Sequence, residues 1–226
     1  MKDHKQTKFS GGAPMIPKHQ TLSAITEQRI VAVIRTDNAG EAVQIVKAVL
    51  SGGIRAIELT YTIPDVQTVF SQLAEEDAIL GAGTVLDAET ARHALLCGAK
   101  FIVSPHFDPA IAILCNRYCI PYLPGCMTIS EMTAALGAGC DIVKLFPANQ
   151  FEPGFIRSVQ GPLPHLRIMP TGGVGLHNIS DWLSAGASAV GIGSDLTKAF
   201  QSGGKHEVHQ LVSSYLSKME KKGERL

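Results

Sequence analysis

The sequence predicts an α/β protein of one domain: a (β/α)8 TIM barrel with an extra N-terminal helix. Three observations predict it. First, short β-rich runs alternate with amphipathic segments, and Gly, Ser, Asp or Pro breakers separate them throughout. Second, eight such runs begin every 20–26 residues. Strict alternation implies a parallel sheet, and eight units in one sheet imply closure into a barrel. Third, the run IVAVIR is followed by TDNAG and not by G-x-G-x-x-G, the loop that a doubly wound dinucleotide fold would place there. A leucine-rich solenoid has a similar period, but its L-x-x-L-x-L signature is missing.

The elements follow in order. LSAITEQR (22–29) reads as the extra helix, lying across the bottom of the barrel. The strands are IVAVIR (30–35), AIELTYT (56–62), ILGAGTV (79–85), FIVSP (101–105), YLPGC (122–126), IVKLFP (142–147), RIMPTGG (167–173) and AVGIGSD (189–195). Between them, AGEAVQIVKAVLSGG, DAETARHALLCGA and TISEMTAALGAG have helical character and end in small or Gly pairs, as left-handed helix caps do. Asp87 and Thr128 sit where N-caps belong. Residues 1–18 are polar, with Gly and Pro breakers, and read as a flexible N-terminal arm. The barrel domain then spans 19–226 and closes on KMEKKGERL, a solvated helix end.

Composition narrows the function. The chain has 226 residues, with 20 basic and 20 acidic side chains and no formal net charge. A neutral chain offers no attractive field to nucleic acid or to an anionic membrane. No apolar run approaches eighteen residues, and the N-terminus lacks the apolar centre of a secretory signal. Five cysteines in a chain of this size read as reduced thiols in a cytoplasmic protein. Cys115 and Cys119 could share a helical face, but no second ligand pair stands near them. HEVH (206–209) is not H-E-x-x-H, His93 and His177 read as helix-surface residues, and His106 in SPHFDP lies where it could reach the mouth of a barrel. The sequence therefore points to amine-based rather than metal-based chemistry, with no metal.

Barrel active sites form at the C-terminal ends of the strands. That rule selects Arg35, Glu58, Thr60, Thr62, Thr84, Ser104, Lys144, Thr171, Gly172, Gly173 and Ser194. In AIELTYT, Ala56, Glu58, Thr60 and Thr62 share one face, and Ile57, Leu59 and Tyr61 the other. The apolar face belongs against the helices, so Glu58 points inward, as a structural carboxylate or as a general acid/base. Ile142, Lys144 and Phe146 likewise share an inward face. Burial disfavours an ammonium relative to a free amine, and desolvated lysines form Schiff bases. A plain interior ion pair with Glu58 is the other reading, and the two are compatible. Glycines in PTGGV and GIGSD bare backbone N–H groups at the ends of strands seven and eight, the usual phosphate position in such barrels.

The motifs GGIRAIELTYT, ILGAGTVLDAE, FIVSPHFDP, YLPGCMTISEM, DIVKLFPA, PTGGV and GIGSDL, taken in order over about residues 20–200, resemble the strand motifs of the KDPG/KHG aldolases. These enzymes act on 2-keto-3-deoxy-6-phosphogluconate and 4-hydroxy-2-oxoglutarate. The resemblance implies a class I, metal-independent, homotrimeric lyase that needs no cofactor beyond a covalent imine on Lys144. It implies pyruvate and a phosphorylated 2-keto sugar acid as small-molecule partners. It also implies Glu58 as the proton carrier, Thr84 near the pyruvyl carboxylate, and Gly172, Gly173 and Ser194 at the phosphate. Pro105, Phe146, Thr171 and Gly193, within the same motifs, are further candidate substrate contacts. Some members carry an arginine four residues after the glutamate, where this chain has Thr62, and Arg35 could supply that cation instead. Rival readings are a 2-keto-3-deoxy-6-phosphogalactonate aldolase and a non-catalytic sugar-phosphate-binding barrel.

Overall fold

The computed structural model describes residues 16–223. Helix α1 (Pro17–Gln28) leads into β1 (Ile30–Ile34), α2 (Ala39–Ser51), β2 (Ala56–Thr60), α3 (Val66–Gln72), β3 (Ile79–Gly83) and α4 (Ala88–Leu96). There follow β4 (Ile102–Val103), α5 (Pro109–Arg117), β5 (Tyr122–Leu123), β6 (Gly125–Cys126), α6 (Ile129–Gly137) and β7 (Ile142–Leu145). The chain ends with α7 (Gly154–Gln160), β8 (Arg167–Pro170), α8 (Ile179–Ser184), β9 (Val190–Ile192) and α9 (Ser194–Gly223), the last kinked at Gly203 and Gly204.

All the strand pairings are parallel, in the orders β5-β4-β3-β2-β1-β9 and β6-β7-β8. Two joins make one barrel of these sheets. β5 and β6 are halves of a single stave interrupted at Pro124, which has no N–H to give to a ladder. At the other seam, Thr171 bridges Gly191 in parallel, linking the end of β8 to β9. The strands therefore form eight staves, as the sequence predicts.

The period-2 pattern sorts the core into two layers. Ile57, Leu59, Val143 and Leu145 join the large cluster that includes Val46, Val49 and Ile156 of the surrounding helices. Val31, Ala56, Phe101, Ile142 and Ala189 point inward and meet Leu22 and Ile25 of α1. Burying each of the Val, Leu, Ile and Phe side chains among them stabilises the fold by about 1.5–3 kcal/mol. Helix α1 thus floors the barrel, as LSAITEQR predicts, but it begins earlier. Pro at the first helical position is compatible with a helix start, so Pro17 and Lys18 are helical rather than part of the arm. Arg29, in a left-handed conformation, ends the helix. The rest of the predicted arm, residues 1–15, lies outside the described residues, as does the chain beyond 223.

Two predicted caps form. Asp87 accepts a hydrogen bond from the Thr90 N–H at 2.6 Å. Thr128 and Glu131 close a capping box at the start of α6.

Candidate active site

The inward face of β2 carries Glu58, which has no solvent exposure. Its place depends on β3: a Cβ on Gly83 would lie 2.0 Å from Glu58 Oε1. Only a residue without a side chain leaves room for the carboxylate. The inward face of β7 carries Lys144, 5% exposed, with Nζ 4.8 Å from the centre of the Phe146 ring. Lys144 Nζ lies 3.7 Å from Glu58 Oε1. Neither Glu58 oxygen makes a hydrogen bond. An unsolvated carboxylate beside an unsolvated amine is costly to maintain as structure alone.

The pair opens into a cavity of about 560 Å³ at the C-terminal mouth of the barrel. Of the sequence-predicted residues, Arg35, Glu58, Thr84, Pro105, Lys144 and Phe146 line it, and so do Thr171, Gly172, Gly173, Gly193 and Ser194. On one side Arg35 Nη2 donates to Thr84 Oγ1 at 3.1 Å. Thr84 has φ +57, a left-handed conformation that a β-branched residue adopts at a cost of about 1–3 kcal/mol. On the other side Gly172 and Gly173 have φ +89 and +83, and Ser194 opens α9. Positive φ and the positive end of the helix dipole together suit an anion. The Thr171 hydroxyl, directly after β8 and beside Gly172, is buried and unpartnered.

Thr62 is a correction. It shares the Glu58 face in an ideal strand, but β2 ends at Thr60 and Thr62 is exposed, outside the cavity lining. Thr60 turns its hydroxyl to Ile34 O and Thr62 Oγ1, each at 2.9 Å. Ser104 is buried and serves structure. It donates to His106 O and sits 2.6 Å from Tyr122 Oη, whose phenol burial pushes above its usual range. His106 is absent from the cavity lining. His93 bonds Tyr61 Oη, His177, His206 and His209 are exposed, and Cys115 is buried while Cys119 is exposed.

Sequence reasoning missed Val33, Val174, Gly191 and Thr197, which also line the cavity. Val33 was discoverable, because it lies between Val31 and Arg35 on the inward face of the first strand. Thr197 lies three residues after Ser194 on α9 and donates to Arg35 O at 3.3 Å, a contact visible only once the barrel closes.

A parallel barrel with an interior lysine facing an interior carboxylate is an arrangement suited to a lyase that works on carbonyl compounds. The family model "KDPG and KHG aldolase" matches residues 22–211, and the chain belongs to that family of aldolases. It is 32% identical to the 2-dehydro-3-deoxy-phosphogluconate aldolase of Treponema pallidum over 72% of this chain and 79% of that protein. It is also 32% identical to the 2-dehydro-3-deoxy-6-phosphogalactonate aldolase of Escherichia coli, over 78% of this chain and 88% of that one. The KDPG aldolase of Legionella pneumophila, solved with pyruvate captured as a covalent carbinolamine, superposes with a TM-score of 0.78. It is 26% identical, and the match covers 86% of this chain and 97% of that one. Among the described residues no helix is long and apolar enough to cross a membrane.

Proposed function

We propose that the protein is a class I aldolase that cleaves 2-keto-3-deoxy-6-phosphogluconate to pyruvate and glyceraldehyde 3-phosphate through an imine on Lys144. One observation carries this reading: a buried amine 3.7 Å from a carboxylate that makes no hydrogen bond, at the floor of a cavity with an anion cradle.

The Lys144 amine adds to the keto carbon of the substrate, and loss of one water gives a protonated imine. Glu58, directly or through water, takes the proton of the carbon-4 hydroxyl. The bond between carbons 3 and 4 breaks, and its electron pair flows into the imine to give an enamine. Glyceraldehyde 3-phosphate leaves. Carbon 3 is reprotonated, and one water hydrolyses the imine to pyruvate and free Lys144. The imine is the electron sink, so this route needs no metal. Arg35 and Thr84 hold the carboxylate, while Gly172, Gly173 and Ser194 hold the phosphate, with Pro105, Phe146 and Gly193 completing the walls. The unpartnered Thr171 hydroxyl, which lines the same cavity, pairs with a substrate hydroxyl. The carbinolamine in the Legionella pneumophila relative supports the covalent route.

A 2-keto-3-deoxy-6-phosphogalactonate substrate is the second reading. It is favoured by the similarity to the Escherichia coli relative. 4-Hydroxy-2-oxoglutarate is a further substrate, cleaved to pyruvate and glyoxylate. The chain works as a homotrimer in the cytoplasm. The exposed apolar side chains Leu86, Met127 and Ile129 support association, and the free cysteines fit a reducing compartment.

Treatment with pyruvate and borohydride, followed by peptide mass analysis, should place a reduced adduct on Lys144. An adduct on another lysine, or none, overturns the assignment. Parallel kinetics with the three substrates, read by pyruvate release, should rank the phosphogluconate compound first. A higher kcat/KM for the phosphogalactonate epimer would establish the second reading.

A further inference from the structure

β2 and β7 stand four staves apart around the barrel. β2 pairs only with β1 and β3, and β7 only with β6 and β8. No ladder hydrogen bond therefore joins their two strands directly. Closure of the barrel fixes their mean separation, and a direct tie between the two staves would hold their relative position further.

Helix α1 touches the lower end of both. At its start, Lys18 Nζ pairs with Asp141 Oδ2 at 2.8 Å and donates to Gly139 O at 3.1 Å. Asp141 directly precedes β7. The Lys18 side chain is 17% exposed and the Asp141 side chain 40%, so only the lysine end of the pair is shielded from water. At the other end, the Gln28 side chain accepts from the N–H groups of Arg55 and Ala56, at 2.8 and 3.0 Å, and donates to Gly53 O at 2.9 Å. Ala56 is the first residue of β2. The ten residue steps from Lys18 to Gln28 span about 15 Å of helix, a chord across a small barrel. Between them Leu22 and Ile25 pack into the layer that contains Ala56 and Ile142. Those two residues lie one step below Glu58 and Lys144 on the same inward faces.

We infer that α1 is a tie across the barrel floor that sets the separation of Glu58 from Lys144, with Lys18 and Gln28 as positioning residues acting through the two strands. The inference rests on the proposed chemistry for its effect on rate, but its geometric content stands apart from it. Removing either anchor frees the start of one stave to shift along or across the barrel. Proton transfer over a few ångströms feels such a shift strongly, whereas the anion-site residues follow β1, β3 and β8, the neighbours of the shifted staves, and β9, rather than those staves themselves, and feel it less.

Lys18→Met and Gln28→Ala, singly and together, test this. In the single variants kcat for cleavage should fall about ten- to a hundredfold, the cost of a misplacement near 1 Å, with KM changed less than about twofold. Lys18→Arg, which keeps both the ion pair and the donor, should restore most of kcat. Crystal structures of the variants should show the Lys144 Nζ–Glu58 Oε1 separation lengthened past about 4 Å, the limit of a direct ion pair. A lowered melting temperature with kcat and the separation both unchanged would mean that α1 only plugs the floor, and would overturn the inference. If the double variant does not fold, the singles, which keep one anchor each, still decide. If pyruvate and borohydride fail to label Lys144 in the unaltered protein, the proposed reaction falls, and the measured separation alone then decides the tie.

Discussion

Lys144 and Glu58 meet head to head inside the barrel, with Nζ 3.7 Å from Oε1, although their strands share no hydrogen bond. Both are almost fully withdrawn from water, and the carboxylate has no other polar partner. A contact of this kind costs more to leave half-made than to remove altogether.

Stability should show that asymmetry. Lys144→Met alone leaves a buried carboxylate unpaired and should cost about 3–5 kcal/mol while abolishing cleavage. Adding Glu58→Leu should recover that loss, with a final stability level with the native protein or about 1–4 kcal/mol above it. Urea unfolding reads both. Equal midpoints for the single and double variants would show that Glu58 left without Lys144 carries no cost.

Gly83 tests the carboxylate without touching it. A methyl group there would overlap Glu58 Oε1, so Gly83→Ala must move the carboxylate or the strand. The overpacking should cost about 1–3 kcal/mol. Displacement of the proton carrier should lower kcat about a hundredfold with little change in KM. Native kcat in Gly83→Ala, with a crystal structure showing the carboxylate displaced, would rule Glu58 out of the proton transfer.

Thr84 trades stability for binding. Its φ of +57 suits glycine far better than threonine. Thr84→Gly should therefore raise the unfolding free energy by about 1 kcal/mol. The same change removes the hydroxyl that anchors Arg35, and KM for substrate should rise about tenfold, the usual cost of a lost bond to a charged group. Arg35→Met should raise KM at least as much and should weaken its dependence on salt. A stabilised Thr84→Gly with unchanged KM would leave Thr84 without a part in binding.

The capping box on α6 gives a pH dependence of stability. Backbone N–H groups of Met127 and Thr128, with the Thr128 hydroxyl, hold the Glu131 carboxyl below its ordinary 4.5. Because the folded value is the lower one, the stabilisation is fully present above the unfolded value and fades as pH falls through the folded value. Glu131 is largely solvated, so the effect is small. Glu131→Ala should cost about 0.5–1 kcal/mol at neutral pH. The difference from the native protein should close below pH 4.5, as followed by thermal unfolding at several pH values. A gap constant down to low pH would mean that the charge does not support the cap.

The staves were readable because their signals are local. AIELTYT displays an apolar face and a polar inward one, and DIVKLFPA sets a single inward lysine among apolar residues, each within a short stretch. Asp87 and Thr128 are recognisable because a cap needs only its own first turn. Thr62 misled for the same reason: alternation continues in a sequence after the strand has ended, and only the ladder to β3 shows that β2 stops at Thr60. Helix α1 was placed too late, because Pro17 looks like a breaker in a polar arm and like a helix start once Lys18 has a partner at Asp141.

By itself the sequence determined the order of the staves, the inward faces of Glu58 and Lys144, and the glycine-rich strand ends where an anion could sit. The tertiary structure decided what those residues meet. It brought opposite staves within 3.7 Å of each other through their side chains, carried Arg35 to Thr84, and laid α1 between the feet of β2 and β7. The reason is range: alternation and capping are settled within a turn or a pleat, whereas contacts across a barrel depend on how all eight staves tilt and stagger at closure.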